Sequence, residues 1–322
     1  MITPEALLER ARGGEVAPTA RLLSIVENDE PGAERVVRAT FPDVGRAIRI
    51  GITGSPGTGK STLVAALLAA YRRVASRVAV VAVDPSSPYT GGAILGDRIR
   101  MRETSLDRGV FIRSMSNRGA SGGLARATGR VVDLLDALGF DVILVETVGA
   151  GQQEIDVVRL VDSVCVLTIP GAGDDIQAIK AGILEIADVL VVNKADKPGA
   201  DQAVKELTQM LTLGEPRNDW RPPVIRTSAT TGEGIDDLIA ALSRHRGWAA
   251  QCGETERRHH AAMRTEIEAL MRERVLRELA RRIDATAVAA AASRVIQKEL
   301  DPYDAAELLL AESEGASTTR TE

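Results

Sequence analysis

Gly54-Ser55-Pro56-Gly57-Thr58-Gly59-Lys60-Ser61-Thr62 follows a β-branched run, Ile48 to Thr53, and leads into an apolar-periodic stretch. The pattern G-x-x-x-x-G-K-[ST] between a strand and a helix makes a phosphate cradle. Its glycines let the backbone bend until several N–H groups face phosphate oxygens, and the following helix adds its positive N-terminus. Lys60 is expected to neutralise the β- and γ-phosphates of a nucleoside triphosphate, and the Ser61 hydroxyl to ligate Mg²⁺.

Outward from this loop, short β-branched runs alternate with helical stretches. The strand candidates are 48–53, 78–83, 110–113, 142–145, 164–169, 189–192 and 224–227. They are continuously apolar, as parallel strands covered on both faces should be. The reading is an α/β fold, the three-layer P-loop NTPase arrangement with a mostly parallel sheet. Residues 1–45 read as an N-terminal helical extension, with Thr3 as an N-cap before Pro4 and a stop at Gly13-Gly14. The P-loop domain is expected over 46–247, a helical segment over 248–312 and a disordered tail over 313–322. Within the helical segment, Ile267, Leu270, Met271, Val275, Leu279 and Ile283 form one stripe.

Composition narrows the function. Forty basic against 45 acidic residues give a net charge of -5, and aromatic residues make up only 2%, so neither a nucleic-acid footprint nor a base-stacking platform is expected. No apolar run approaches a membrane span, and the start has neither a basic region nor an apolar signal core. With two cysteines in dissimilar surroundings, a reducing cytoplasmic setting fits.

Mg²⁺ asks for hard oxygen ligands, and ligands of parallel sheets gather at the carboxyl ends of the strands. Asp84 and Glu146 end two strand candidates; Asp97, in a Gly-rich segment, either joins them or pairs with Arg98 or Arg100. A phosphate loop does not choose between ATP and GTP, but Asn193-Lys194-Ala195-Asp196 does. An ionised Asp only accepts hydrogen bonds, and guanine offers two adjacent donors, N1–H and the 2-amino group, that adenine lacks. Asn193 is expected to tie neighbouring loops together and the Lys194 stem to cover the base. At Ser228-Ala229-Thr230 a backbone N–H would meet the guanine 6-oxygen.

With these residues in place, the sequence resembles the MeaB/ArgK family of P-loop GTPases. The shared stretches are GSPGTGKST at 54–62, VDPSSP at 83–88, GGAILGDRIRM at 91–101, ETVGAGQ at 146–152, PGAGDDIQAIKAGI at 170–183, NKAD at 193–196 and DPYDAA at 301–306. The resemblance implies GTP hydrolysis by a chaperone that gates adenosylcobalamin loading of a cobalamin-dependent acyl-CoA mutase and protects it. It also implies Asp84, Asp97 and Glu146 around Mg²⁺, and a homodimer formed through the C-terminal helices. The alternative is that the stripe caps its own subunit. An older reading of the family, a kinase or ATPase serving arginine and ornithine transport, sits poorly with a guanine-reading quartet. His259-His260 reads as a solvated helical face, so nothing here suggests metal delivery.

In Ras-like proteins a Gln directly after the second-switch Gly positions the attacking water, whereas here Ala150 follows Gly149. Slow intrinsic turnover is therefore expected, with Gln152 or Gln153 as substitutes. Residues 171–180, carrying Asp174, Asp175, Gln177 and Lys180, read as an extra switch or as a solvated helix start. Lys60, Glu146 and Lys180 are the catalytic candidates.

Overall fold

The strand β1 (Ile48–Gly54) lies at the centre of a seven-stranded sheet of order β3-β2-β4-β1-β5-β6-β7, and every neighbouring pair is parallel. The computed structural model describes residues 2–75, 77–84, 107–116, 123–147, 160–171, 184–213 and 219–318. The other strands are β2 (Val78–Asp84), β3 (Val110–Ser116), β4 (Val142–Glu146), β5 (Ser163–Thr168), β6 (Val189–Val192) and β7 (Val224–Arg226). Each lies where the sequence places a strand. β4, β5 and β6 are buried along their whole length, which is why alternation is missing from their sequences.

β1 is the point at which the winding reverses. The chain leaves it for β2 and β3 on one side, returns as β4 and continues to β5 and β6 on the other. A crevice at the carboxyl ends of β1, β4 and β5 follows from that reversal.

Two helical layers cover the sheet. On one face, α4 (Lys60–Arg72) and α7 (Ile235–Gln251) bury Leu63, Leu67, Leu68, Leu238 and Leu242 against Ile50, Ile52, Val80 and Leu144. Each such side chain contributes about 1.5–3 kcal/mol of apolar burial. The opposite face receives α5 (Gly123–Ala137) and α6 (Ala200–Leu213), through Val131, Leu135, Ala203 and Leu207. The N-terminal helices α1 (Pro4–Arg12), α2 (Val16–Glu27) and α3 (Ala33–Thr40) join the same apolar cluster with Leu7, Leu22, Leu23 and Val36. Thr3 caps α1 as expected, its hydroxyl accepting from the Ala6 N–H at 3.3 Å. Asp136 fastens the link to β1 by accepting from the Gly45, Arg46 and Ala47 N–H groups at 2.8, 3.0 and 2.9 Å.

The amino ends of β5 and β6 carry a second polar cluster. Asp188, 1% exposed, accepts from the Val164 N–H at 2.9 Å and from two Arg258 nitrogens at 2.9 and 2.7 Å. His245, fully buried, places Nε2 3.2 Å from the same carboxylate and Nδ1 2.7 Å from the Ser163 hydroxyl. Glu254 accepts from Arg258 Nε at 2.8 Å. The two tryptophans of the chain flank His245, with Trp220 and Trp248 ring centroids 5.0 and 5.6 Å away.

The chain divides into two compact units, Met1–His259 and His260–Glu322. The second comprises most of α8 (Glu254–Arg282), then α9 (Ala285–Ile296) and α10 (Pro302–Thr318). Asp284 caps α9, and Asp301 caps α10 through the Tyr303 and Asp304 N–H groups at 2.7 and 2.9 Å. α10 runs to Thr318, past residue 313 where the expected tail begins; its Ala- and Glu-containing turns favour helix. Of the stripe, Ile267, Leu270, Met271 and Val275 are 41–62% exposed. Among the described residues no helix is long and apolar enough to cross a membrane.

Candidate nucleotide-binding site

β1 ends on Gly54, and two residues of the loop that follows can only be glycine. A Cβ on Gly54 would lie 2.4 Å from the Leu167 carbonyl oxygen of β5, and one on Gly59 would lie 2.6 Å from Asn193 Nδ2. Their φ angles, 144° and 91°, are ones that side-chain-bearing residues avoid. The loop is thus pressed against β5 on one side and against the segment after β6 on the other. Thr58 closes it internally, donating its hydroxyl to the Ser55 carbonyl at 2.8 Å.

α4 starts at Lys60. The residue is 7% exposed and its ammonium donates to the Gly54 and Ser55 carbonyls at 2.7 and 3.1 Å, so it lies inside the curl of the loop. The next residue, Ser61, donates its hydroxyl to Glu146 Oε1 at 2.6 Å. Two hard oxygens thus meet at the helix N-terminus, the ligand type that Mg²⁺ would take. Asp84 closes β2, level with Ser116 and two residues beyond Ala82, which pairs with Glu146. Asp97 and Lys180 lie outside the described residues, as do Gln152, Gln153 and Gln177.

The segment after β6 joins three loops. Asn193, 2% exposed, donates Nδ2–H to the Thr58 carbonyl at 2.8 Å. Its Oδ1 accepts from the Thr227 hydroxyl at 3.1 Å and from the Ala229 N–H at 3.3 Å. Lys194, at φ 57°, reaches back to donate to the Gly57 carbonyl at 2.7 Å. Asp196 is exposed, and its Oδ1 accepts from the Ser228 hydroxyl at 2.8 Å. Ser228 is itself fixed by an N–H bond to the Glu233 carbonyl at 3.0 Å, and Thr230 Oγ1 lies 3.4 Å from its hydroxyl. Gly54 to Thr62, Glu146, Asn193 to Asp196 and Ser228 to Thr230 therefore gather at one end of the sheet. This was legible because each group follows the carboxyl end of a strand.

One pair escaped the sequence reading. Thr147, the first residue past β4, donates its hydroxyl to Thr53 Oγ1 of β1 at 2.8 Å, and its N–H bonds the Ile52 carbonyl at 3.0 Å. Two threonines in apolar strands read as ordinary β-formers, and no local signal joins positions 94 residues apart.

Comparison with known proteins agrees with this geometry. The family model described as "Methylmalonyl Co-A mutase-associated GTPase MeaB" matches residues 19–284. A putative GTPase of Pyrococcus abyssi is 45% identical over 311 residues, 96% of either chain. The methylmalonic aciduria type A homolog, mitochondrial, of Caenorhabditis elegans is 34% identical over 81% of this chain and 70% of its own. The crystal structure of a protein named LAO/AO transport system kinase superposes with a TM-score of 0.71 at 27% identity, covering 97% of this chain and 98% of that one.

Proposed function

The chain belongs to the MeaB family of methylmalonyl-CoA mutase-associated GTPases, and we propose that it spends GTP to gate adenosylcobalamin loading onto a cobalamin-dependent acyl-CoA mutase and to protect that mutase. It is a GTPase that binds guanine nucleotide. The observation carrying the nucleotide reading is Asn193, which bonds the phosphate loop at Thr58 and the base loop at Thr227 and Ala229. The mutase is supported by the family description and by the name of the nematode relative.

In this reading Lys60 exchanges the Gly54 and Ser55 carbonyls for β- and γ-phosphate oxygens, which are stronger acceptors for an ammonium. Ser61 and Glu146, with Asp84 and Asp97, would hold Mg²⁺, which supplies charge neutralisation at those phosphates. Asp196 accepts from guanine N1–H and the 2-amino group with its two oxygens, while Ser228 donates to a remaining lone pair of Oδ1. The Ala229 N–H turns from Asn193 to the 6-oxygen, and the Lys194 stem covers the base. Lys180 is proposed to add positive charge at the nucleotide in the complex with a partner.

A second copy of the chain is proposed to cover the exposed Met263, Ile267, Leu270, Met271 and Val275 of α8. Light scattering would find a dimer for the native chain and a monomer for Ile267→Glu/Met271→Glu; a native monomer overturns it.

The test of the chaperone reading is GTP hydrolysis by the protein alone and with stoichiometric mutase. Slow basal turnover that rises about 10³-fold in the complex, and falls again in Lys180→Ala, is the expected result. A basal rate that no mutase alters defeats it. The name of the crystallographic neighbour favours a transport-linked kinase as the second reading. Phosphate transfer from ATP to a transport component, with no preference for GTP, would establish that one instead.

A further inference from the structure

Glu146 needs a fixed direction if its carboxylate is to meet Ser61, and the bond between them does not supply one. Ser61 donates its proton to Glu146 at 2.6 Å, and that contact must rearrange if the Ser61 oxygen turns to a cation. The main chain can supply a reference independent of the cation. We propose that Thr147 and Thr53 are positioning residues that hold Glu146 on β1, the strand that carries the phosphate loop.

The geometry closes a ring. From Thr53 the chain runs through the loop to Ser61, whose hydroxyl contacts Glu146; the next residue, Thr147, bonds back to Thr53. Successive strand side chains point to opposite faces, so Glu146 faces α4 while Thr147 faces the other layer. Thr147 is anchored through its N–H to Ile52 and through its hydroxyl to Thr53, at 3.0 and 2.8 Å. The N–H belongs to the peptide joining Glu146 to Thr147. Together the two bonds fix that peptide plane, and with it the Cα–Cβ direction of Glu146.

Burial makes the hydroxyls informative. Thr53 and Thr147 are 1% and 4% exposed, beside the cluster containing Val145 and Val166. Valine suits such a position in a sheet, and a buried hydroxyl is costly unless it is bonded. Here each hydroxyl is the other's partner. A packing role alone would be met by two valines; a positioning role would not.

This inference rests on Glu146 acting as the metal carboxylate, and the test separates the two. Release of a fluorescent GDP analogue would be timed against Mg²⁺ concentration, alongside Mn²⁺ affinity by electron paramagnetic resonance. Supporting groups around metal ligands are worth about 10–100-fold in metal affinity. Thr147→Val should therefore raise the Mg²⁺ midpoint for slowing release about tenfold, and Thr147→Ser should stay within about twofold of the native chain. GDP affinity in EDTA should not move. The double variant Thr53→Val/Thr147→Val leaves no buried hydroxyl without a partner, so its melting temperature should match the native one while its midpoint shifts like that of Thr147→Val. A folded double variant with the native midpoint overturns the positioning role. If Glu146→Ala also keeps the native midpoint, the metal assignment beneath it falls as well.

Discussion

At the carboxyl ends of the strands a buried ammonium, Lys60, donates to two neutral main-chain carbonyls, whereas at the amino ends a buried carboxylate, Asp188, meets a guanidinium and an imidazole. The two groups are similarly hidden, at 7% and 1% exposure, but Lys60 counts main-chain carbonyls among its partners where Asp188 is met by a guanidinium. Neutral carbonyls are weaker partners for an ammonium than phosphate oxygens, so a ligand can displace them. Arg258 on Asp188 leaves a ligand nothing to gain, and removing it strands a charge. Burial alone therefore does not mark a working site; the exchangeability of the partners does.

The largest expected effect lies at the carboxyl end and is confined to function. Asp196→Asn should move the preference between GTP and XTP by about 10⁴-fold, because an amide can donate to the 2-oxo group that replaces the guanine amine. Nucleotide titrations measure the preference, and thermal melting should find stability unmoved because Asp196 is exposed. Unchanged GTP affinity with no gain for XTP would remove Asp196 from the base site.

Arg258→Ala makes the opposite cut. It strips Asp188 and Glu254 of a shared cation and should lower the unfolding free energy by about 3–5 kcal/mol, read by denaturant titration. Trp220 and Trp248 flank His245, so fluorescence reports this end directly. Molecules that stay folded should bind GDP with native affinity. Lost affinity in a folded variant would mean that the two ends are coupled and that the contrast between them fails.

Acid sharpens the comparison at a smaller scale. Burial pushes the Asp188 carboxyl upward, but the Arg258 guanidinium and then His245 outweigh it and hold the group at about 2, below its ordinary 3.8. Burial likewise raises Glu254, and Arg257 and Arg258 bring it down to about 2. A carboxylate depressed in the folded state stabilises the protein above its unfolded value and loses that contribution as pH falls toward the folded one. For Asp188 the contribution is about 2 kcal/mol, lost between roughly pH 4 and pH 2. Denaturant titrations at pH 7, 4 and 3 on the native chain and on Asp188→Asn should show the variant less stable at neutral pH and flatter toward acid. Parallel pH curves would show that Asp188 is not held down.

The two ends were unequally legible. Segments that follow the carboxyl ends of apolar strands sit in short contiguous signatures, so the meeting of 54–62, 193–196 and 228–230 at one end of the sheet could be expected from the amino acids alone. The seven strands were equally plain, since continuous β-branched runs admit few other readings. Asp188, His245, Ser163, Arg258 and Trp220 are single residues spread over 96 positions, and their meeting depends on where α7 and α8 return to the sheet. The Thr53–Thr147 pair was hidden for the same reason. Contacts set by strand order rather than by spacing leave no local pattern.

The smallest expected effect compares one serine at each end. Ser163 and Ser228 are 2% and 0% exposed, and their hydroxyls bond His245 at 2.7 Å and Asp196 at 2.8 Å. With the His245 proton taken to be on Nε2, toward the accepting Asp188, Nδ1 accepts the Ser163 proton. Ser163→Ala then leaves a buried ring nitrogen without its donor and should cost about 1–2 kcal/mol of stability, with GTP affinity unmoved. Ser228→Ala frees an exposed carboxylate that water can solvate, so melting should hardly change. Its cost should appear only when guanine covers Asp196 and the missing donor is felt, as a loss of about tenfold in GTP affinity. Measured together, the pair should trade places between the two assays. If both serines move stability alone, Asp196 is not held for a base, and the carboxyl end behaves like the amino end.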